Sequence, residues 1–196
     1  MWAFEQTASL AQCCNAGGPN AYHRRMNVHE SSAVNEPGVL IVGGGLVGAS
    51  LAIALDAAGI AATLVETAAP RADAQPSYDE RNLALARATV NGLEAIGVWR
   101  HAAARATPIR HIHVSRAGEF GSARIDADRQ GVDALGWTLP ARELGAALLR
   151  RLDECTRLTR LAPATLEAIE PLVDGWRARI RNADGERSID SALLVG

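Results

Sequence analysis

The clearest hydrophobic patterning in the chain begins at Val39. Val39–Val42 is an unbroken apolar run of strand length that exits into Gly43. From Leu46 the period changes: Val47, Leu51, Leu55 and Ala58 recur at spacings of four, four and three, which marks one face of a helix. Gly59 stands where a glycine ends such a helix. The segment 61–66, AATLVE, reads as a second buried strand. Strand, tight turn, helix and strand make a βαβ unit with parallel strands and a right-handed crossover.

Farther along, Leu144, Leu148, Leu149 and Leu152 predict an amphipathic helix past Pro140, with Cys155 near its end as an inert small hydrophobe. Asp174-Gly175 and Asp184-Gly185 are hairpin signals flanking WRARIRN, in which Trp176, Ala178 and Ile180 alternate with arginines. The arginines between Arg177 and Arg187 then belong to the solvated face of a meander. Ala192–Gly196 reads as a buried strand returning to the parallel sheet. Residues 1–36 carry no period of two or 3.6 and read as a flexible leader before a domain over 37–196.

Composition narrows the function classes. At 196 residues and 48% hydrophobic, the chain can bury one real core. A net charge of -2, with 20 basic and 22 acidic residues spread along the length, provides no basic stripe for nucleic acid. Cys13, Cys14 and Cys155 fit neither a zinc spacing nor a disulfide framework, which points to a reducing, cytoplasmic setting. No secretory signal or membrane span is expected, because the start lacks a basic n-region and the one long apolar run is broken by glycines. His111 and His113 would share a strand face, but no third ligand accompanies them, so no metal site is expected. Trp99, Trp137 and Trp176 read as structural.

The glycines carry the chemistry. Gly43, Gly45 and Gly48 are spaced G-x-G-x-x-G between strand and helix: the first permits a sharp exit, the second admits a pyrophosphate to the backbone, and the third lets helix and strand pack closely. The anion would sit at the helix N-terminus. Glu66, ending the second strand, is placed to accept both hydroxyls of an adenosine ribose, and its charge would repel the extra phosphate of NADP at this site. The pattern by itself leaves NAD and FAD open.

The segment Tyr78–Trp99, YDERNLALARATVNGLEAIGVW, resembles the flavoprotein aromatic monooxygenases, and more closely the ubiquinone-biosynthesis hydroxylases. In that family an acidic residue, a neighbouring arginine and a small apolar run precede a helix with a Leu-x-x-Ile-Gly-Val-Trp type ending. Here these are Asp79, Arg81, Leu83–Ala86 and Leu93–Trp99. The resemblance continues at IRHIHVSRAGEFG from Ile109 and LGWTLPARELGAALLRRL from Leu135, and covers Val39–Gly196.

The resemblance implies an α/β fold: a Rossmann-like FAD-binding domain with a βαβ unit, a β-meander and part of a substrate-side sheet. It implies that Gly43, Gly45, Gly48 and Glu66 hold the ADP half of FAD, that Arg81 lies along the cofactor near its pyrophosphate or ribityl chain, and that Arg142 stands against the flavin. Taken alone, Arg81 reads as a solvated loop charge paired with Asp79 or Glu80, and only the motif context reverses that. The implied activity is hydroxylation of a polyprenylated phenol with NAD(P)H and O2, with no acid or base residue in this stretch and with association at the inner membrane or in a biosynthetic complex. In the family an Asp-Gly motif and a second flavin motif follow the last strand seen here, so the chain is expected to be roughly the first half of an enzyme and inactive alone. An NAD-dependent oxidoreductase and a non-catalytic nucleotide-binding fragment are the alternatives.

Overall fold

A computed structural model describes residues 38–69, 78–118 and 120–196; the leader expected over 1–36 lies outside them. The first elements are β1 (Val39–Val42), α1 (Leu46–Ala57), β2 (Ala62–Val65), β3 (Asn82–Ala86), α2 (Arg87–Ala95), α3 (Trp99–Ala102), β4 (Thr107–Ile109), β5 (His111–Ser115) and β6 (Ser122–Asp126). After them come β7 (Gly136–Pro140), α4 (Ala141–Asp153), β8 (Leu158–Leu161), β9 (Ala164–Leu172), β10 (Gly175–Asn182), β11 (Gly185–Ser191) and β12 (Leu193–Val195).

A parallel sheet in the order β12-β1-β2-β8 lies at the centre. Its inner strands are apolar except at the buried Thr63, because both faces are covered. Val39, Ile41, Ala62 and Leu64 pack with α1 and α4, through Ala49, Ala52, Ile53, Leu144 and Leu148. Leu40 and Val65 point the other way, onto Ala178 and Ile180 of the antiparallel β9–β10–β11 sheet. Successive residues of these strands therefore face two different apolar cores.

The expected helix face needs correction. Val47 is 84% exposed and Ala58 is exposed, while the buried residues of α1 are Ala49, Ala52 and Ile53. The cause is steric: α1 is drawn so close to β1 that a Cβ on Gly48 would stand 1.9 Å from the Gly43 carbonyl oxygen. Near the turn the face toward the sheet takes the small Ala49 and Ala52, Ile53 fills the space beside them, and Leu51 and Leu55 lie at the margin, half-buried. The last strand also differs from expectation. β12 pairs with β1 in the predicted parallel sense, but it is the sheet's edge and Leu193 is 52% exposed.

The meander matches its sequence signals. Gly175 and Gly185 adopt φ of +150° and +119° at the two turns, where a side chain would be strained. Ala178 and Ile180 face inward, and Arg177, Arg179 and Arg181 face solvent. Trp99 and Trp137 pack edge to face, with centroids 5.6 Å apart.

A second antiparallel sheet, β3-β7-β4, joins segments far apart in the chain. Its pairing of Asn82 with Pro140 brings the 79–81 loop to the start of α4, where the Ala141 N–H donates to the Arg81 carbonyl and the Arg142 N–H to that of Asp79. β5 and β6 form a separate hairpin whose five β5 residues are all exposed, including His111 and His113. Among the described residues no helix is long and apolar enough to cross a membrane.

Candidate dinucleotide site

The site grows from the way β1 hands over to α1. The Gly43 N–H still donates to the Val65 carbonyl at 2.8 Å, and then the backbone turns with φ of +102°, a conformation that favours glycine. Gly45 occupies the N-cap position of α1 with no side-chain cap, and the first helical turn contains no acidic residue. The first intrahelical bond runs from the Ala49 N–H to the Gly45 carbonyl at 2.9 Å. The positive end of the helix dipole thus has neither a side-chain cap nor an acid in its own first turn. An anionic ligand fits that end, and the Gly48–Gly43 contact keeps α1 close enough to the strand to present it there.

Glu66 stands beside this turn at the tip of β2. Its carboxylate accepts the Gly44 N–H, the Ala68 N–H at 2.7 Å and the Thr67 hydroxyl at 3.0 Å. These donors pin the side chain 22 residues away in sequence from the glycine whose amide it holds. Tyr78 completes the surroundings: its ring is buried and its hydroxyl donates to the Gly44 carbonyl at 3.2 Å. Burial, and then the nearby Glu66 charge, push the Tyr78 phenol up to about 12, so it keeps its proton and remains a donor at neutral pH.

A cavity of about 410 Å3 opens along the turn, with Gly43, Gly45, Gly48, Val47, Leu51 and Arg81 in its wall. The structure therefore brings four of the sequence-selected residues to one wall, with Glu66 joined to the same turn through Gly44. Arg81 also pairs with Asp79, at 2.6 Å, as its loop position alone suggested. Its side chain is 73% exposed, and a solvated pair of this kind is worth about 1 kcal/mol or less, so exchange of Asp79 for a phosphate costs little. Arg142 lies outside that wall, paired with Glu80 and, at 3.3 Å, with Glu143.

Sequence spacing missed Tyr78, Gly44 and the lining role of Val47 and Leu51. Tyr78 and Gly44 are 34 residues apart, so no periodicity connects them. The high exposure of Val47 is a consequence of its place on the cavity wall rather than in the core. Cys155 is partly buried, and burial together with Asp56 pushes its thiol up to about 11, which suits the inert role expected of it.

Comparison with known proteins agrees with the geometry. A family described as FAD binding domain matches residues 36–196. A ubiquinone hydroxylase, UbiL of Rhodospirillum rubrum, is 35% identical over 159 residues, covering 81% of this chain and 36% of its own length. The 3-demethoxyubiquinol 3-hydroxylase of Escherichia coli K12 is 34% identical over 164 residues, covering 81% of this chain and 40% of its own. The chain thus spans about two fifths of the length of these relatives. Among solved structures, the flavin-dependent monooxygenase PieE, in complex with FAD and substrate, superposes with a TM-score of 0.65 at 24% identity over 82% of this chain and 30% of its own, which supports the fold. p-Nitrophenol 4-monooxygenase PnpA of Pseudomonas putida DLL-E4 gives 0.64 at 21% identity over 81% of this chain and 39% of its own. The uncapped glycine turn, the acid at the tip of β2 and the match across 36–196 together place the chain in the FAD binding domain family.

Proposed function

We propose that this chain is the FAD-holding part of a hydroxylase that acts on a polyprenylated phenol in ubiquinone biosynthesis, with NAD(P)H as reductant and O2 as the source of the oxygen. The observation that carries the reading is the cavity in which the uncapped N-terminus of α1, Gly43, Gly45, Gly48 and Arg81 converge. The names of the two curated relatives support the substrate class.

The residues divide the work. The N–H groups at the start of α1, with Arg81, would hold the two phosphates of FAD. Glu66 would accept the ribose hydroxyls of its adenosine half, sharing the carboxylate with the backbone donors that orient it. Val47 and Leu51 would exclude water from the apolar side of the cavity. Arg142, held by Glu80 and Glu143 at the start of α4, would face the flavin end. The chemistry FAD supplies when bound is electron transfer from NAD(P)H and delivery of one oxygen atom to an electron-rich ring. The chain's own contribution is placement and exclusion of water, and no side chain described here is assigned as acid or base.

A polyprenyl tail partitions into lipid, so the working location under this reading is cytoplasmic at the inner-membrane surface. The test is a chimera in which residues 39–196 replace the matching segment of the Escherichia coli relative, in cells lacking that hydroxylase. Restored ubiquinone synthesis supports the reading. A chimera that folds and accumulates but restores none contradicts it.

A further inference from the structure

Tyr78 touches the dinucleotide turn without lining its cavity. Its ring is 6% exposed and lies flat against α4, where a Cβ on Gly145 would meet three ring atoms at 2.3 to 2.5 Å. Glycine at that position therefore makes the slot the ring occupies. From the slot the hydroxyl reaches the Gly44 carbonyl at 3.2 Å, while the Gly44 N–H is held from another direction by Glu66. Both polar groups of Gly44 thus have side-chain partners, supplied from 34 and 22 residues away.

The next peptide group gives this a consequence. Among the described residues the one cis bond is Ala162–Pro163, so the Gly44–Gly45 peptide is trans. In a planar trans peptide the N–H points opposite to the C=O. Fixing the Gly44 carbonyl on Tyr78 therefore fixes the Gly45 N–H facing away from Tyr78, and Gly45 is part of the cavity wall. Glycine pairs rotate freely unless held, so this orientation needs a partner.

We propose that Tyr78 is a positioning residue of the turn: its hydroxyl holds the Gly44–Gly45 peptide so that the Gly45 N–H is directed at the diphosphate, an inference that rests on the FAD reading above. A ring that merely fills the Gly145 slot predicts a different outcome when the hydroxyl alone is removed.

The experiment compares the chain with Tyr78→Phe, which keeps the ring, by FAD titration, by amide exchange at Gly45 without cofactor, and by thermal melting. The expected result is a near-native melting temperature, roughly five-fold weaker FAD binding, the scale of one neutral hydrogen bond, and faster exchange at Gly45. Should Tyr78→Phe fold poorly, 4-fluorophenylalanine at position 78 keeps the ring and nearly the size of the hydroxyl without its proton, and is expected to give the same losses. Native affinity and native exchange in Tyr78→Phe, beside clear FAD uptake by the parent, overturn the role of Tyr78 and leave the FAD reading standing. Lack of FAD uptake by both proteins overturns the FAD reading, and exchange at Gly45 then decides alone: accelerated, it supports the hold on the turn; unchanged, it overturns it.

Discussion

At its N-terminal end α1 has no side-chain cap, no acid in its first turn and three glycines arranged around a cavity; at its C-terminal end the protein satisfies its own groups. There the Gly59 N–H donates to the Asp56 carbonyl at 3.0 Å and the Ile60 N–H to that of Leu55 at 2.9 Å, with Gly59 at φ of +77°. This is the Schellman closure. Around it, the Asp56 carboxylate accepts the N–H groups of Thr156 and Arg157 at 3.0 and 2.9 Å and pairs with Arg151 at 3.5 Å. One helix thus has a closed end that ties α1 to α4 and an open end that faces a cavity. The meander resembles the closed end: Arg177 is held by both oxygens of Asp190 at 2.7 Å, so a dense row of arginines there is structural charge.

The largest effect should follow from breaking the open end with Gly48→Val. The added Cβ meets backbone at Gly43, which cannot move aside cheaply, so we expect a loss of about 1–3 kcal/mol in stability and FAD binding weakened by more than about 100-fold. Melting and a flavin fluorescence titration read both, and native affinity in this variant would erase the distinction between the two ends. Glu66→Gln comes next: replacing a charged acceptor should weaken FAD binding by roughly 10- to 100-fold, with a smaller effect on melting.

Asp56→Asn tests the closed end, where stability should fall by about 2 kcal/mol with FAD affinity unchanged. Its pH dependence has a defined sign. Burial opposes ionisation of Asp56, but the Arg157 N–H and its other partners outweigh burial and hold the carboxyl below the usual carboxylate range. As pH falls the unfolded chain takes up the proton first, so Asp56 stabilises fully above about pH 4 and its contribution is lost as pH drops through the lower folded value. Acid titration of melting temperature should therefore be shallower in the Asn variant. The smallest effect belongs to Arg177→Ala: the pair lies on the solvent face of the meander, and the melting temperature should barely move, with FAD titration unaltered.

What could be read in the sequence was whatever is local in the chain. The β1–α1–β2 unit, the Gly59 stop, the two Asp-Gly turns and the leucine stripe of α4 each declare themselves within one continuous stretch of chain, the longest being Val39 to Val65. Glu66 was legible because a βαβ unit fixes the distance between its strands. The face of α1 was misread because side-chain size was taken as the guide, whereas close approach to β1 rewards the small residues Ala49 and Ala52. Tyr78, the Asp56 latch and the β3–β7 pairing depend on contacts between distant segments, which no period or spacing announces. From its loop alone Arg81 was legible as a partner of Asp79, and only the resemblance made it a cation near a cofactor; the structure shows the Asp79 pair with the side chain in the cavity wall.

The central claim is that the Gly43–Gly48 turn receives the diphosphate of FAD at the start of α1. It is tested most directly by titrating FAD onto the chain and competing with ADP and with riboflavin. The account predicts saturable uptake of one FAD per chain, displaced by ADP and indifferent to riboflavin, because the turn grips the ADP half. No uptake, or uptake that riboflavin displaces and ADP does not, would contradict it.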